Sequence, residues 1–247
     1  MTVIEEPLFD RPVFIVSTPR SGSTLLFETL SRAPDVYTIG GESHRLIESI
    51  PQLDIRARDH ASNRLLAQDA VPEVVDPLRQ RFHASMRDRD GAALASGHGR
   101  FRMLEKTPKN SLRIPFLLKA FPEAHFAFLY RDPRQVLASM MEAWMSGRFK
   151  TCAGLPGWPL PYWSLLLTQG GRHWRESRWP RSSPASGRRR PRCCWTTWRN
   201  CRRDAASRSA MRISWLTLRP GSSTCARASA WRGIVRWTGR CRWPGIR

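Results

Sequence analysis

The sequence predicts an α/β fold, a three-layer parallel sheet with helices on both faces. Two observations carry that prediction. Strand-like segments at 12–18, at the start of Phe101–Asn110 and at 124–130 alternate with leucine-spaced helical patterns. Each run also stops at a polar loop holding a cation, and in parallel sheets ligands collect at the carboxyl ends of strands.

Residues 12–18 read as a buried strand. The pattern then changes, and Thr24 to about Ala33 reads as a helix with Leu25, Leu26, Leu30 and Ala33 on one face, ended by Pro34. "DVYTIGGESHRLIESI" follows, an extended piece, a Gly-Gly turn and a short helix. Residues 52–90, with Leu65, Leu66, Val74, Val75, Leu78, Phe82 and Met86, predict two amphipathic helices broken at Pro72 and stopped by Asp90-Gly91. "FRMLEKTPKN" is a second strand running into a loop, and "SLRIPFLLKAFP" a helix closed by Pro122. Ala124 to Tyr130 is the third strand, and Arg131-Asp132-Pro133 turns the chain into the helix "RQVLASMMEAW". No internal repeat is visible.

At 247 residues the chain is long enough to bury a core, and its +21 charge would suggest a nucleic-acid or anionic partner. The distribution of charge argues otherwise. From Gly171 onward there are 20 basic residues against two acids, Glu176 and Asp204, so that stretch carries +18 and leaves +3 to residues 1–170. It also holds five of the six cysteines and eight of the eleven tryptophans, with no Lys, Phe or Tyr. Two compositions are joined in one chain. The opening residues show neither a basic leader nor a long apolar stretch, so a cytoplasmic protein without membrane association is expected.

Pro19-Arg20-Ser21-Gly22-Ser23-Thr24 supplies what a phosphate loop needs: small residues whose N–H groups can converge on an oxyanion, hydroxyl donors and a cation. Read alone, it is equally an ordinary Ser/Thr-capped helix start. The residue after Gly22 is Ser23 rather than lysine, so the Walker pattern is not met and a nucleotide kinase is only an alternative. In the second element, Ser139 stands eight residues after Arg131, two helical turns on, where guanidinium and hydroxyl could pinch a second phosphate. Alone, it is as well explained by a common helix start and a small packing serine.

Together these segments resemble the PAPS-dependent sulfotransferases over roughly residues 12–167. "TPRSGSTLL" looks like their 5′-phosphosulfate loop, which implies donor-binding roles for Arg20, Ser21, Gly22, Ser23 and Thr24. "YRDPRQVLASM" looks like their 3′-phosphate motif and implies that Arg131 and Ser139 hold that phosphate. "EKTPKN" fits the bacterial and tyrosylprotein branch. The resemblance implies a P-loop-like fold moving a sulfuryl group from 3′-phosphoadenosine 5′-phosphosulfate (PAPS) to a hydroxyl of a small molecule or peptide. Arg20 would stabilise the leaving phosphate.

Glu42 stands where the tyrosylprotein branch carries its catalytic glutamate. A partly dry cleft would raise its pKa toward neutrality, as suits a general base. His44 is its competitor, Glu105 a more distant one, and a solvated acid at a helix start is the ordinary alternative. Lys106 and Lys109 could meet an anionic acceptor or the sulfonate, with at least one of them expected to be a solvated loop lysine. No metal is expected, because the cysteines form no C-x-x-C pair and no His cluster exists.

This organisation predicts an incomplete sulfotransferase domain at 1–167 and an Arg/Trp/Cys-rich tail at 168–247. The tail lacks apolar periodicity. Combining the third base of each codon with the first two of the next over Cys193–Arg202 permits Leu-Leu-Asp-Asp-Leu-Glu-Lys-Leu-Pro, an amphipathic helix with a stop. The same shift over Ser209–Leu218 permits Arg-Tyr-Glu-Asp-Leu-Leu-Ala-Asp-Pro, which resembles a motif the family carries. We therefore read the tail as out-of-frame sequence, disordered, adding no layer to the domain and leaving activity low. The alternative is an Arg/Trp-rich arm binding nucleic acid non-specifically through charge and stacking.

Overall fold

Val13, Phe14, Ile15 and Val16 offer no polar face, so the strand they form, β1 (Val13–Ser17), must be covered on both sides. It is the central strand of a five-stranded sheet. The computed structural model describes residues 9–95, 99–158 and 160–168, together with the strand at 212–216. β1 pairs in parallel with β3 (Arg102–Lys106) on one side and β4 (His125–Tyr130) on the other, Val13 lying opposite Leu104 and His125. β2 (Val36–Tyr37) adds to β3, also in parallel. The carboxyl ends of all four strands therefore face the same way.

Side chains alternate across these strands, and both faces are apolar. Phe14 and Val16 join Met103 and Phe126 in a core covered by α2 (His44–Glu48), α3 (Pro72–Ala84) and α4 (Ile114–Ala120). Val13, Ile15, Leu104 and Leu129 face the other way, onto Leu26 and Leu30 of α1 (Ser23–Leu30). The predicted layers, with helices on both faces of a parallel sheet, are present. α5 (Pro133–Ser146) follows β4 and leads to an antiparallel hairpin of β5 (Lys150–Ala153) and β6 (Tyr162–Ser164).

Three expectations need correction. Leu25 does not share the buried face of α1; it is 46% exposed, because only the i, i+4 pair Leu26 and Leu30 points at the sheet, and the helix stops before Ala33. The region before Pro72 is not a helix. It folds as three 3₁₀ turns, at Pro51–Leu53, Ile55–Arg58 and Ala67–Asp69, because Asp54 takes the Arg56 N–H (2.7 Å) and Asp69 takes the Leu66 N–H (2.6 Å), which diverts the backbone from helical bonding.

The third correction concerns the tail. Arg212–Leu216 forms β7, antiparallel to β4 at the sheet edge, with Leu216 opposite Phe126 and Arg212 opposite Tyr130. Without it β4 would present an unpaired row of backbone groups, and the Ile-Ser-Trp-Leu run has the β-branched and aromatic character that fits an edge. The sheet is thus parallel at its centre with one antiparallel edge. The other expectations for residues beyond Thr168 lie outside the described residues.

Phe121 anchors the larger core. Its ring meets Phe9, Phe14 and Phe82 at centroid distances of 5.3, 5.4 and 5.5 Å, and the Arg79 guanidinium lies 5.1 Å over it. Phe121→Ala should cost about 3–5 kcal/mol, the usual consequence of deleting a buried ring, measured as a lowered urea midpoint at unchanged m-value.

Candidate functional site

β1 ends at the predicted phosphate loop. Arg20 and Gly22 both take left-handed backbone angles (φ +68° and +92°), and Gly22 caps α1, a conformation that glycine alone adopts without steric cost. The first intrahelical bond runs from the Leu26 N–H to the Gly22 carbonyl at 3.2 Å. The N–H groups of Ser23, Thr24 and Leu25 therefore have no acceptor within the helix and are aligned with the positive end of its dipole. Ser21 is fully buried, its hydroxyl 2.7 Å from that of Thr18. Its side chain braces the loop from inside and does not line the cleft.

The second motif lies against the first. Asp132 caps α5 by accepting the Arg134 N–H at 2.9 Å, and Ser139 sits further along the same helix. The Arg20 Nε donates to the Ser139 Oγ at 3.1 Å, while its guanidinium lies 5.0 Å over the Phe149 ring. Arg131 donates from Nε to the Gln135 Oε1 at 2.8 Å. Arg20 and Arg131 are thus held by neutral side chains, and neither has a carboxylate partner among the described residues.

The third wall is built on Glu105, which has no solvent exposure. It accepts from the Ser43 N–H (3.3 Å), the Asn110 Nδ2 (2.8 Å) and the Thr107 hydroxyl, and burial pushes its pKa up. These bonds join β3 to the turn carrying Glu42 and His44. Glu105 does not line the cleft, so it positions the wall and is no candidate for the base. Lys106 donates to the Glu42 Oε1 at 2.7 Å, and the His44 Nδ1 stands 3.5 Å from the Glu42 Oε2. Lys109 and Arg113 share Glu48, at 2.8 and 2.5 Å.

Two expectations fail here. Burial does act to raise the Glu42 pKa, but hydrogen bonds from His44 and Lys106 outweigh it and hold the carboxyl down at about 2. Neither lysine is solvated, because each is folded against its own carboxylate with only 9% of its side chain exposed.

All these elements open onto one cleft of about 630 Å³. Arg20, Gly22, Ser23, Thr24, Glu42, Arg131 and Ser139 line it, with His44, Lys106 and Lys109. The sequence reading missed one wall, Arg148, Phe149, Lys150 and Thr151 at the start of the hairpin with Leu165 and Leu166 after it. The glycines at 147, 154 and 157, all at positive φ, punctuate that hairpin and were its available signal. Among the described residues no group of three or more His, Cys, Asp or Glu is placed to hold a metal ion, and no helix is long and apolar enough to cross a membrane.

The fold is α/β, and its cleft gathers arginines and the N-terminus of α1 at the carboxyl ends of parallel strands. The chain belongs to the sulfotransferase family, whose model matches residues 12–181. It is 27% identical over 136 residues to a Caenorhabditis briggsae protein named as a protein-tyrosine sulfotransferase, covering 54% of this chain and 44% of that protein. It is 29% identical over 135 residues to nodulation protein NoeE of Sinorhizobium fredii, covering 53% and 31%. The matches thus span less than half the length of either relative.

The depressed pKa of Glu42 has a consequence for folding. A carboxyl held at about 2 in the native state and near 4.5 when unfolded contributes stability that is fully present above 4.5 and is lost as pH falls toward 2. Glu42→Gln removes that titration. Urea midpoints taken between pH 6 and pH 2.5 should fall more steeply for the wild type than for this variant, the two curves converging in acid.

Proposed function

We propose that the protein transfers a sulfuryl group from PAPS to an acceptor hydroxyl. The observation that carries this reading is the hydrogen bond from Arg20 to Ser139, which holds the two phosphate-binding motifs on one cleft. In the cleft Lys106 and Lys109 are neutralised by Glu42 and Glu48, whereas Arg20 and Arg131 keep their charge for a ligand. A bisphosphate nucleotide matches that division. The α1 N-terminus and Arg20 would take the 5′-phosphosulfate, and Arg131 with Ser139 the 3′-phosphate.

Sulfuryl transfer needs positioning and neutralisation of the charge that builds on the leaving phosphate. The acceptor oxygen forms a bond to sulfur, the bond from sulfur to the bridging phosphate oxygen breaks, and its electron pair leaves with the nucleotide. Glu42 and His44 form the edge of the cleft from which the hydroxyl proton is removed. The acceptor is a small-molecule or peptide hydroxyl. The name of the Caenorhabditis relative makes a peptide tyrosine one acceptor to assay, beside phenols, sugars and lipids. The out-of-frame reading of the tail belongs to this proposal, and the nucleotide sequence across Leu160–Arg175 tests it.

Calorimetry with 3′-phosphoadenosine 5′-phosphate (PAP) and with adenosine 5′-monophosphate separates the two motifs. Arg20→Ala should weaken both ligands by about 10–100-fold, the range of a charge-assisted hydrogen bond. Arg131→Ala should weaken PAP by a similar factor and leave the monophosphate within about twofold. Equal losses for both ligands in the Arg131 variant would remove the 3′-phosphate assignment, and unchanged affinities in the Arg20 variant would remove the donor site.

A further inference from the structure

Glu42 has both carboxylate oxygens committed. Oε1 receives the Lys106 ammonium at 2.7 Å, and Oε2 faces the His44 Nδ1 at 3.5 Å. The lysine side chain is nearly buried at the end of β3, and its bond to Oε1 leaves the second oxygen turned to the imidazole. His44 lines the cleft with about a third of its side chain exposed.

We propose that His44 is the catalytic residue that takes the acceptor's proton, and that Glu42 is a positioning residue holding its ring. The proposal rests on the sulfotransfer reading. A carboxylate facing Nδ1 keeps the ring proton on that nitrogen and leaves the lone pair on Nε2, the arrangement by which an acid orients a histidine base. The hydroxyl proton then passes to Nε2 as its oxygen bonds to sulfur, and the carboxylate stabilises the imidazolium until the ring returns the proton to water. A carboxyl already satisfied by an ammonium and an imidazole, and held at about 2, accepts a proton poorly at neutral pH.

Nitrogen-15 NMR of the histidine rings tests the pair without turnover. His44 signals, identified by their loss in His44→Gln, should show the Nδ1–H tautomer in the wild type and revert toward Nε2–H in Glu42→Ala. An Nε2–H ring in the wild type, or one indifferent to Glu42, overturns the proposal. Turnover with PAPS and a tyrosine peptide or a simple phenol tests the role. His44→Ala should bind PAP within about twofold of wild type and lose about 10²–10⁴ in rate. Added imidazole should restore part of that rate, which a structural loss would not allow. Glu42→Ala should lose less, with no rescue. Normal turnover in His44→Gln beside a dead Glu42→Ala would make Glu42 the base. A wild type that binds no PAP defeats the sulfotransfer reading itself, while the tautomer measurement still reports on the pair.

Discussion

Glu105 lies without solvent contact at the carboxyl end of β3, and the distant turn at Ser43 and the adjoining loop at Thr107 and Asn110 converge on it. An unsatisfied buried carboxyl is costly, so the Ser43 N–H, the Thr107 hydroxyl and the Asn110 amide are all drawn to it. Ser43 is further bound through its N–H to Thr107 at 2.7 Å, and its hydroxyl accepts from Asn110 at 3.1 Å. This polar knot fixes the turn before α2 against the end of β3. Glu42, His44 and Lys106 meet because the knot leaves their backbones no other placement. A buried acid away from the cleft thereby sets the geometry of the exposed one at its rim.

A second brace holds the opposite wall. Arg113, almost completely buried, donates to Glu48 and to the Asn63 carbonyl (3.1 Å), and the Asn63 side chain accepts the Leu167 N–H at 2.8 Å. The Asn63 N–H returns the bond to the Leu167 carbonyl at 2.8 Å. The chain leaving the hairpin is therefore docked on the same network that holds Lys109 through Glu48. Trp144, Trp158 and Trp163 pack edge to face beside it, with centroids 4.8–5.8 Å apart, and tie the hairpin to α5.

Charge in the cleft is divided by partner chemistry. A lysine is a compact point charge, and Lys106 and Lys109 are each matched to a carboxylate; the planar guanidinium groups of Arg20 and Arg131 have donors to spare after one bond to a neutral oxygen. The same basic residue count read along the sequence gives no hint of this division, because it depends on which acids fold against which cations.

Much of the fold was legible in sequence. The apolar runs at β1 and β4 had to be covered on both faces, and the change from β-branched to leucine-spaced patterning marked the loops at Thr18 and Arg131 where a ligand cleft would form. Local chemistry also determined that Gly22 would turn the chain and Asp132 would start a helix. What the sequence did not determine were the long-range partners: the Arg20 bond to Ser139, 119 positions apart, the Lys106 clamp on Glu42 and the edge pairing of Arg212–Leu216 with β4. Glu42 shows why. Its sequence neighbourhood argues for burial and a raised pKa, and burial does push that way, but proton affinity is set by groups a few ångströms distant in space, and only the tertiary structure brings the ammonium and the imidazole that reverse it.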